Sequence, residues 1–304
     1  MSDAVLAWVA APEEAGERLD VALAARPEVG SRAAAQRLVE DGRVRVDGRP
    51  RAKGHRLAAG ERVEVDEPTA LEPEALAPVP HRVVFEDAWL VVVDKPAGVV
   101  VHPAPGHRGP TLAATLAGRS AGGEDPERAG IVHRLDKRTS GLLVVAKDPE
   151  AHARLQAALR AREIERAYLA LVAGHPSSDA GTIDAPLGRD RSRRTLMSTR
   201  TDRPREARTH FEVAETLTAT TLLRLRLDTG RTHQIRAHLT GIGHPVCGDR
   251  AYAGGPCGER LGLRRQFLHA HHLAFRHPVS GEALAWDSAL PGDLAHALAR
   301  ACAE

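Results

Sequence analysis

The N-terminal part of the chain carries apolar residues at helical spacing, followed by short alternating stretches. ERLDVALAAR and SRAAAQRLVEDG both have the helical spacing, and the second begins at Ser31 as an N-cap and ends at Gly42. RVRVDGRP alternates apolar and basic residues into an Asp47-Gly48 turn, which is a hairpin signal, and ERVEV supplies another short strand. The pattern therefore predicts a small α/β module of two helices and a hairpin over residues 16–66.

From residue 81 onward the pattern changes to strands with occasional helices. HRVVFED and WLVVVDKPAG predict consecutive strands, RAYLALVAG predicts another, and EARTHFEVAET with TTLLRLRLDTG predicts a hairpin whose Arg224 and Arg226 face away from the leucines. PEAHARLQAALRAREI and THQIRAHLTGIG predict helices. Because strands dominate and few crossovers are long, residues 81–304 are predicted to form an α+β fold with a mostly antiparallel mixed β-sheet.

The stretch IVHRLDKRTSGLLVVAKD (131–148) fits neither pattern, because a polar group separates two apolar runs that each predict a buried strand. Gly141 is expected to turn the chain there. The polar group holds one carboxylate among several cations: His133, Arg134, Asp136, Lys137, Arg138, Thr139 and Ser140. A lone aspartate can be a nucleophile, a base, a metal ligand or a salt-bridged structural residue. The adjacent cations disfavour a metal, and glycoside hydrolysis normally pairs two carboxylates. One carboxylate suits a glycosidic rearrangement better, but these residues alone leave the structural interpretation open.

Composition and cysteine content set broad limits. The chain of 304 residues is 42% hydrophobic and 27% charged, which is typical of a globular protein rather than a disordered one. It has no apolar run of membrane-spanning length and no cationic segment before an apolar one at its start, so a cytoplasmic location without membrane attachment is expected. Cys247, Cys257 and Cys302 are odd in number and show no CxxC spacing, which argues against a disulfide framework or a zinc site.

Charge is unevenly distributed although the formal net charge is only +2. Residues 31–56 contain eight Lys/Arg against three Asp/Glu, and residues 189–208 again contain eight against three. Between them, residues 66–80 contain four acids, four prolines and no basic residue, which predicts a stiff acidic linker over 67–80. The two basic stretches indicate nucleic-acid-facing surfaces, with solvated surface arginines as the alternative.

Six stretches together resemble a known enzyme family. HRLDKRTSGLLVVAK looks like the signature of the RluA-type pseudouridine synthases, and five others are similar to that family's motifs in order and spacing. These are VVVDKPAGVVVHPAPG (91–106), ERAYLALVAGH (165–175), TGRTHQIRAHL (229–239), HPVCGDRAYAG (244–254) and LHAHHLAFRHPVSGE (268–282). The N-terminal module resembles the alpha-L RNA-binding module of a ribosomal protein, so the similarity runs from about Gly16 to the C-terminus with an RluD-like layout.

The resemblance implies an isomerase that cleaves the N-glycosidic bond of a uridine in RNA, rotates the uracil and rejoins it through carbon, with no cofactor and no metal. It implies that Asp136 is the catalytic aspartate and that Arg134 fills the space left by the flipped base. Tyr168 would lie against the uracil ring as the candidate for removing the carbon-bound proton. Arg236 would pair with Asp136 and keep it ionised, and Leu268 would line the uracil pocket. Whether Asp136 attacks the sugar, attacks the base or drives elimination through a glycal stays open.

The resemblance also implies an RNA partner, most directly large-subunit ribosomal RNA, with transfer RNA left open and the target uridine unspecified. A monomer is expected. The basic residues of the N-terminal module would meet RNA phosphates through backbone and shape contacts rather than base stacking, since the module has few aromatic residues: Arg32, Arg37, Arg43, Arg45, Arg49, Arg51 and Lys53. Asp249 and Tyr252 are interpreted as loop architecture, and the histidines of 269–277 as strand structure rather than a zinc site.

Two other classes of function remain as alternatives. A non-catalytic RNA-binding protein on the same scaffold would not need Asp136, Tyr168 and Arg236 together. A nucleoside hydrolase or other glycosidase would call for a second, water-activating carboxylate or a calcium-binding aspartate cluster, and the sequence offers no motif for either.

Overall fold

The computed structural model describes residues 4–29, 32–66, 77–103, 107, 109–123, 125 and 128–304. The chain divides into two compact units, residues 1–75 and residues 76–304. Most of the predicted linker, residues 67–76, lies outside the described residues. Within the described part, no helix is both long enough and apolar enough to cross a membrane.

The N-terminal unit is a four-stranded antiparallel sheet with two helices. Its strands are ordered β1-β4-β2-β3. Its elements are β1 (Ala4–Val9), α1 (Leu19–Ala24), α2 (Arg32–Glu40), β2 (Val44–Val46), β3 (Arg49–Pro50) and β4 (Arg62–Asp66). The predicted hairpin joins β2 to β3, and both turn residues, Asp47 and Gly48, have the positive φ values (51° and 74°) that this turn requires. Ser31, the predicted N-cap, lies outside the described residues.

The first strand of this unit was not predicted. β1 pairs antiparallel with β4, with Trp8 opposite Val63. The unit's core is formed by the inward-facing alternate residues of the strands together with the apolar faces of α1 and α2. A module boundary at Gly16 therefore leaves out a strand that completes the sheet.

The second unit is built on a nine-stranded mixed sheet. Its strand order is β5-β6-β7-β14-β8-β13-β12-β9, with β15 also paired to β14. Its strands are β5 (Arg82–Glu86), β6 (Leu90–Lys95), β7 (Ser140–Ala146), β8 (Glu165–Ala173), β9 (Ala180–Asp184), β10 (Gly188–Arg189), β11 (Met197–Ser198), β12 (Arg208–Thr216), β13 (Thr220–Leu227), β14 (Leu268–Arg276) and β15 (Ala283–Asp287). β10 and β11 form a separate two-stranded sheet. β7 and β14 are parallel, whereas the other neighbouring strands are antiparallel, which confirms the predicted α+β fold.

Helices cover both faces of this sheet. They are α3 (Leu112–Thr115), α4 (Pro149–Arg160), α5 (Gln234–Gly241), α6 (Gly255–Arg260) and α7 (Gly292–Ala303). In β7, Leu143 and Val145 belong to one core with residues of α3, α5 and α7, whereas Leu142 and Val144 belong to a second core with Leu155 of α4. A strand buried on both faces explains the continuous apolar run GLLVVA.

Two features of the 131–148 stretch differ from the prediction. The run before Asp136 is not a strand, because Ile131 makes a single bridge to Val145 and residues 132–136 are irregular. Gly141 does not turn the chain. It lies within β7 with φ +117°, where a Cβ would come 2.1 Å from the carbonyl oxygen of Ala270 in β14. Glycine therefore permits the close approach of the parallel pair, and the chain turns earlier, at 137–138.

The cysteine prediction was wrong for one pair. Cys247 and Cys257 form a disulfide across ten residues, while Cys302 is free and exposed. Two glycines allow the chain to pack closely next to the disulfide, since a Cβ on Gly258 would lie 2.3 Å from Cα of Gly248. CxxC spacing recognises only cysteines that are close in sequence, so it misses a pair that a folded loop brings together.

Candidate active site

A cavity of about 530 Å³ in the second unit brings the predicted site residues together. They come from four separate segments: the 131–139 stretch, β8, α5 and β14. The predicted residues that line the cavity are Arg134, Asp136, Tyr168, Arg236 and Leu268. The structure thus places in one concave site what four sequence motifs indicated separately.

Asp136 lies in the irregular segment that leads into β7, and its side chain is 18% exposed, so it is reachable from the cavity. Backbone bonds fix the segment: the Thr139 amide donates to the Asp136 carbonyl at 3.0 Å and the Gly98 amide donates to the Lys137 carbonyl at 2.7 Å. Leu135, 4% exposed, anchors the segment in the core next to Asp136. The carboxylate is therefore carried on a held, short backbone segment rather than on a mobile loop tip.

Lys95, at the end of β6, also contacts the backbone of the segment that carries Asp136. Its ammonium is completely buried and donates to the carbonyls of Pro96 and Val99 at 3.0 Å each, with a longer contact of 3.5 Å to the carbonyl of Lys137. Burial lowers the pKa of Lys95 to about 7, although the negative charge of Asp136 opposes that shift. Lys95 had no predicted role.

Arg236 is the group that bonds to the Asp136 side chain, as predicted. Its Nη1 donates to Oδ2 of Asp136 at 3.0 Å. Arg236 is 8% exposed, so it is a buried residue on a short helix and not a surface one. Burial acts to lower the pKa of Arg236, but the hydrogen bonds and charges of Asp249 and Asp136 outweigh it and raise the pKa above its ordinary value.

Asp249 and Tyr252, which were interpreted as loop architecture, both contact Arg236. Asp249 accepts from Nε at 2.6 Å through Oδ2 and from Nη2 at 3.0 Å through Oδ1. The guanidinium lies over the Tyr252 ring, 4.7 Å from its centroid. The motif CGDRAYAG carries both residues, but nothing in its spacing relates it to Arg236.

Tyr168 and Leu268 form the buried wall of the cavity. Tyr168, in β8, is 5% exposed, and burial raises its pKa, with Asp136 adding to the rise and Arg166 opposing it. Its phenol is therefore protonated at neutral pH. Leu268 begins β14 opposite Ala170 of β8 and is 4% exposed. A planar apolar group could lie between this wall and the carboxylate.

Arg134, His133 and Arg166 complete the lining near Asp136. Arg134 is exposed at the cavity, whereas His133 beside it is buried. Burial, and then the charge of Arg166, lower the pKa of His133 to about 3, so its ring is neutral and accepts from the Val144 amide at 3.3 Å. Arg166 donates from Nη2 to the Leu227 carbonyl at 3.2 Å. Neither His133 nor Arg166 had a predicted role: His133 was one of several polar residues around Asp136, and Arg166 lies within a predicted strand.

The basic residues predicted for the N-terminal unit differ in their environment. Arg49 and Arg51 are exposed, and Arg43 is partly exposed. Two others form ion pairs within the unit, namely Arg45 with Asp66 and Lys53 with Glu40. The side chains of Arg32 and Arg37 lie outside the described residues. Exposed arginines at the hairpin are the clearest candidates for phosphate contact in this unit.

The second basic stretch forms an arginine-rich hairpin around β10 and β11. Asp190 organises it by accepting from the amides of Ser192 and Arg193 at 2.9 and 2.8 Å and from the Ser198 hydroxyl at 2.8 Å. These bonds, led by that from Arg193, lower the pKa of Asp190 to about 2. Its exposed arginines are Arg189, Arg191, Arg193, Arg194, Arg200, Arg203 and Arg205.

The histidines of 269–277 take part in structural hydrogen bonds. His269 bonds to the Ser140 hydroxyl at 3.0 Å and the Ser288 carbonyl at 3.1 Å. His272 pairs with Asp287 at 2.7 Å, and His277 pairs with Asp87 at 2.9 Å. In the described part of the chain, no group of three or more His, Cys, Asp or Glu is placed to hold a metal ion.

The family model described as RNA pseudouridylate synthase matches residues 89–240, and the S4 domain model matches residues 17–63. The chain belongs to the RNA pseudouridylate synthase family, which confirms the resemblance read from the motifs. It is an isomerase with an RNA-binding S4 domain.

Similar proteins span almost the whole chain. The ribosomal large subunit pseudouridine synthase D of Nitrosomonas europaea is 43% identical and covers 92% of this chain and 83% of its own length. An uncharacterized RNA pseudouridine synthase of Mycobacterium bovis is 42% identical over 93% of this chain and 94% of its own length. The solved structure of human RNA pseudouridylate synthase domain containing 4 is 27% identical, with a TM-score of 0.57 over 72% of this chain and 92% of that chain.

Proposed function

We propose that this enzyme converts specific uridines of large-subunit ribosomal RNA to pseudouridine, with Asp136 as the essential carboxylate and without a cofactor. The observation that carries the proposal is the hydrogen bond of Arg236 to Asp136 inside a cavity walled by Tyr168 and Leu268. The ribosomal target is supported by relatives whose names state it, including the one at 43% identity.

The reaction has three steps that these residues could serve. The target uridine leaves the RNA stack and enters the cavity, while Arg134, exposed at the cavity, takes the space the base vacates. With Asp136 acting on the nucleotide, the bond from C1′ to N1 breaks and the uracil turns against the Tyr168–Leu268 wall. A bond from C1′ to C5 then forms and the proton on C5 is released. N1, which kept the electron pair of the broken bond, takes up a proton from solvent, so the product is an isomer of uridine.

Tyr168 is proposed both to pack against the uracil and to help remove the C5 proton. Because burial raises the pKa of this phenol, it would take that proton only by passing its own to a neighbouring acceptor. Asp136, which lines the same cavity, could accept it once its work on the nucleotide is finished.

RNA would be held by the exposed arginines of both units, above all by the arginine-rich hairpin and by Arg49 and Arg51. A target in ribosomal RNA would place the reaction in the cytoplasm. We also propose that the enzyme acts as a monomer.

The test is to map pseudouridines in cells that lack the protein and in the same cells complemented with wild type or Asp136→Asn. We expect one or more sites in large-subunit ribosomal RNA to lose pseudouridine and to regain it with wild type alone. Loss confined to transfer RNA would overturn the ribosomal target. Full restoration by Asp136→Asn would overturn the catalytic role.

A further inference from the structure

Asp249 is almost fully buried, at 3% exposed, yet its carboxylate belongs to no step proposed above. It lies in the loop after α5, and both of its oxygens are bound by Arg236, at 2.6 and 3.0 Å. This two-pronged contact occupies the Nε edge of the guanidinium, which is the edge best suited to a carboxylate. Arg236 therefore meets Asp136 with Nη1 only, through Oδ2.

Tyr252 fixes the plane of the same guanidinium. Its ring lies under Arg236, and its hydroxyl is held by the Met197 amide at 2.7 Å and the Met197 carbonyl at 3.1 Å. His233, which precedes α5, lies 3.1 Å from that hydroxyl through Nδ1. The ring cannot tilt without breaking these bonds, so Arg236 is constrained both along its edge and across its face.

The arrangement leaves Asp136 with one oxygen engaged. An unconstrained arginine would pair with a carboxylate through two parallel hydrogen bonds, which would engage both oxygens. Among the described residues, Arg236 is the one that hydrogen-bonds to the Asp136 side chain, and it does so at Oδ2. Oδ1 accepts no hydrogen bond from any residue that the structure describes.

We propose that Asp249, with Tyr252, is a positioning residue that keeps Arg236 from pairing with both oxygens of Asp136. The inference rests on the proposed catalytic role of Asp136, because a free oxygen matters only if that carboxylate acts on the nucleotide. Asp249 itself touches no reacting atom. Its effect is transmitted entirely through the guanidinium of Arg236.

The experiment is a double-mutant cycle on the full-length chain, measured as single-turnover rate on one stem-loop RNA. Asp249→Asn removes the charge and one acceptor while keeping the shape. We expect its rate to fall by on the order of 10²-fold, as for a small misplacement of a catalytic group, with the RNA dissociation constant changed less than about twofold. In the Arg236→Lys background, where the two-pronged contact is already lost, Asp249→Asn should cost little more.

Asp293→Asn is a matched control. Arg265 contacts Asp293 with the same geometry, at 2.6 and 3.0 Å, and neither residue lines the cavity. Asp293 is much more exposed than Asp249, so Asp293→Asn should lower the melting temperature less than Asp249→Asn does, and it should leave the rate within about threefold of wild type. If Asp249→Asn fails to fold, Tyr252→Phe replaces it in the cycle, because it removes the hydroxyl anchors and keeps the ring.

Two outcomes overturn the inference. One is equal loss of rate from Asp249→Asn in the wild-type and Arg236→Lys backgrounds, because the effect would then not pass through Arg236. The other is a wild-type rate in both Asp249→Asn and Tyr252→Phe. Asp136→Asn is measured in the same series. If Asp136→Asn is active, the proposed function fails. If Asp136→Asn is inactive but the rate losses of Asp249→Asn and Arg236→Lys simply add, the positioning role alone is rejected.

Discussion

Arg236 and Asp136 lie 100 residues apart in the chain and are joined by a hydrogen bond of 3.0 Å between Nη1 and Oδ2. Loss of Arg236 removes both the positive charge and the hydrogen-bond donor that lie against the Asp136 carboxylate. In Arg236→Gln, the single-turnover rate should fall by on the order of 10²-fold, because the carboxylate is no longer held in place. A wild-type rate in Arg236→Gln would show that Arg236 does not position this carboxylate.

Arg236→Lys separates charge from geometry at the same position. Lysine keeps the positive charge but cannot make a planar two-pronged contact with Asp249. We expect a rate between those of Arg236→Gln and wild type. The same single-turnover assay checks this, and full recovery of rate in Arg236→Lys would mean that charge alone is required.

Asp136→Asn should abolish pseudouridine formation while RNA affinity stays within about twofold, because the amide keeps the shape of the side chain and loses its charge. Tritium release from uridine-labelled RNA measures the reaction, and filter binding measures affinity. Asp287→Asn, an exposed aspartate outside the cavity, serves as the control and should match wild type. Residual turnover of Asp136→Asn above about a thousandth of wild type would argue against an essential carboxylate.

Lys95 should make stability depend on pH. The folded chain releases the Lys95 proton at about pH 7, whereas a lysine in the unfolded chain holds its proton to about pH 10. Between these values the unfolded state binds more protons, so the free energy of unfolding should rise with pH, by about 1 kcal/mol per unit. Below pH 7 both states hold the proton and this contribution is flat. Urea unfolding of wild type and Lys95→Met from pH 6 to 9 tests it, and parallel curves would contradict it.

Cys247→Ser should lower the free energy of unfolding by about 2–3 kcal/mol, because the bond to Cys257 closes a short loop. The same loop carries Asp249 and Tyr252, so the rate should fall as well. Cys302→Ser is the matched control, since that cysteine is free and exposed, and it should change neither quantity. Wild type treated with a reductant should behave like Cys247→Ser. If reductant changes neither the free energy of unfolding nor the rate, the disulfide does not hold the loop that carries Asp249 and Tyr252.

Elements with a strong local period could be predicted from sequence. α4 and the β12–β13 hairpin lie where their spacing indicated, and Arg224 and Arg226 are exposed on β13 as expected. Strand β1 could not be predicted, because its partner β4 lies more than fifty residues further on and its own residues show weak alternation. Pairing between distant segments leaves little trace in either segment alone.

The site also has a part that could be predicted from sequence and a part that could not. Asp136, Tyr168, Arg236 and Leu268 were found because family motifs carry them, and the structure places them around one cavity. The contacts of Asp249 with Arg236 were not found, because a residue on α5 and a residue 13 positions later in the disulfide-closed loop have no shared period. Such contacts depend on tertiary folding, where side-chain direction is decided by the whole chain.

The strand order has a consequence for how the protein is made. β14 lies between β7 and β8, so the half of the sheet that follows Asp136 and the half that carries Tyr168 are joined by a strand that begins at Leu268. During synthesis, both halves leave the ribosome long before the strand that unites them. A chain synthesised only as far as residue 267 lacks that strand, so its sheet is divided in two and Leu268 is absent from the cavity lining.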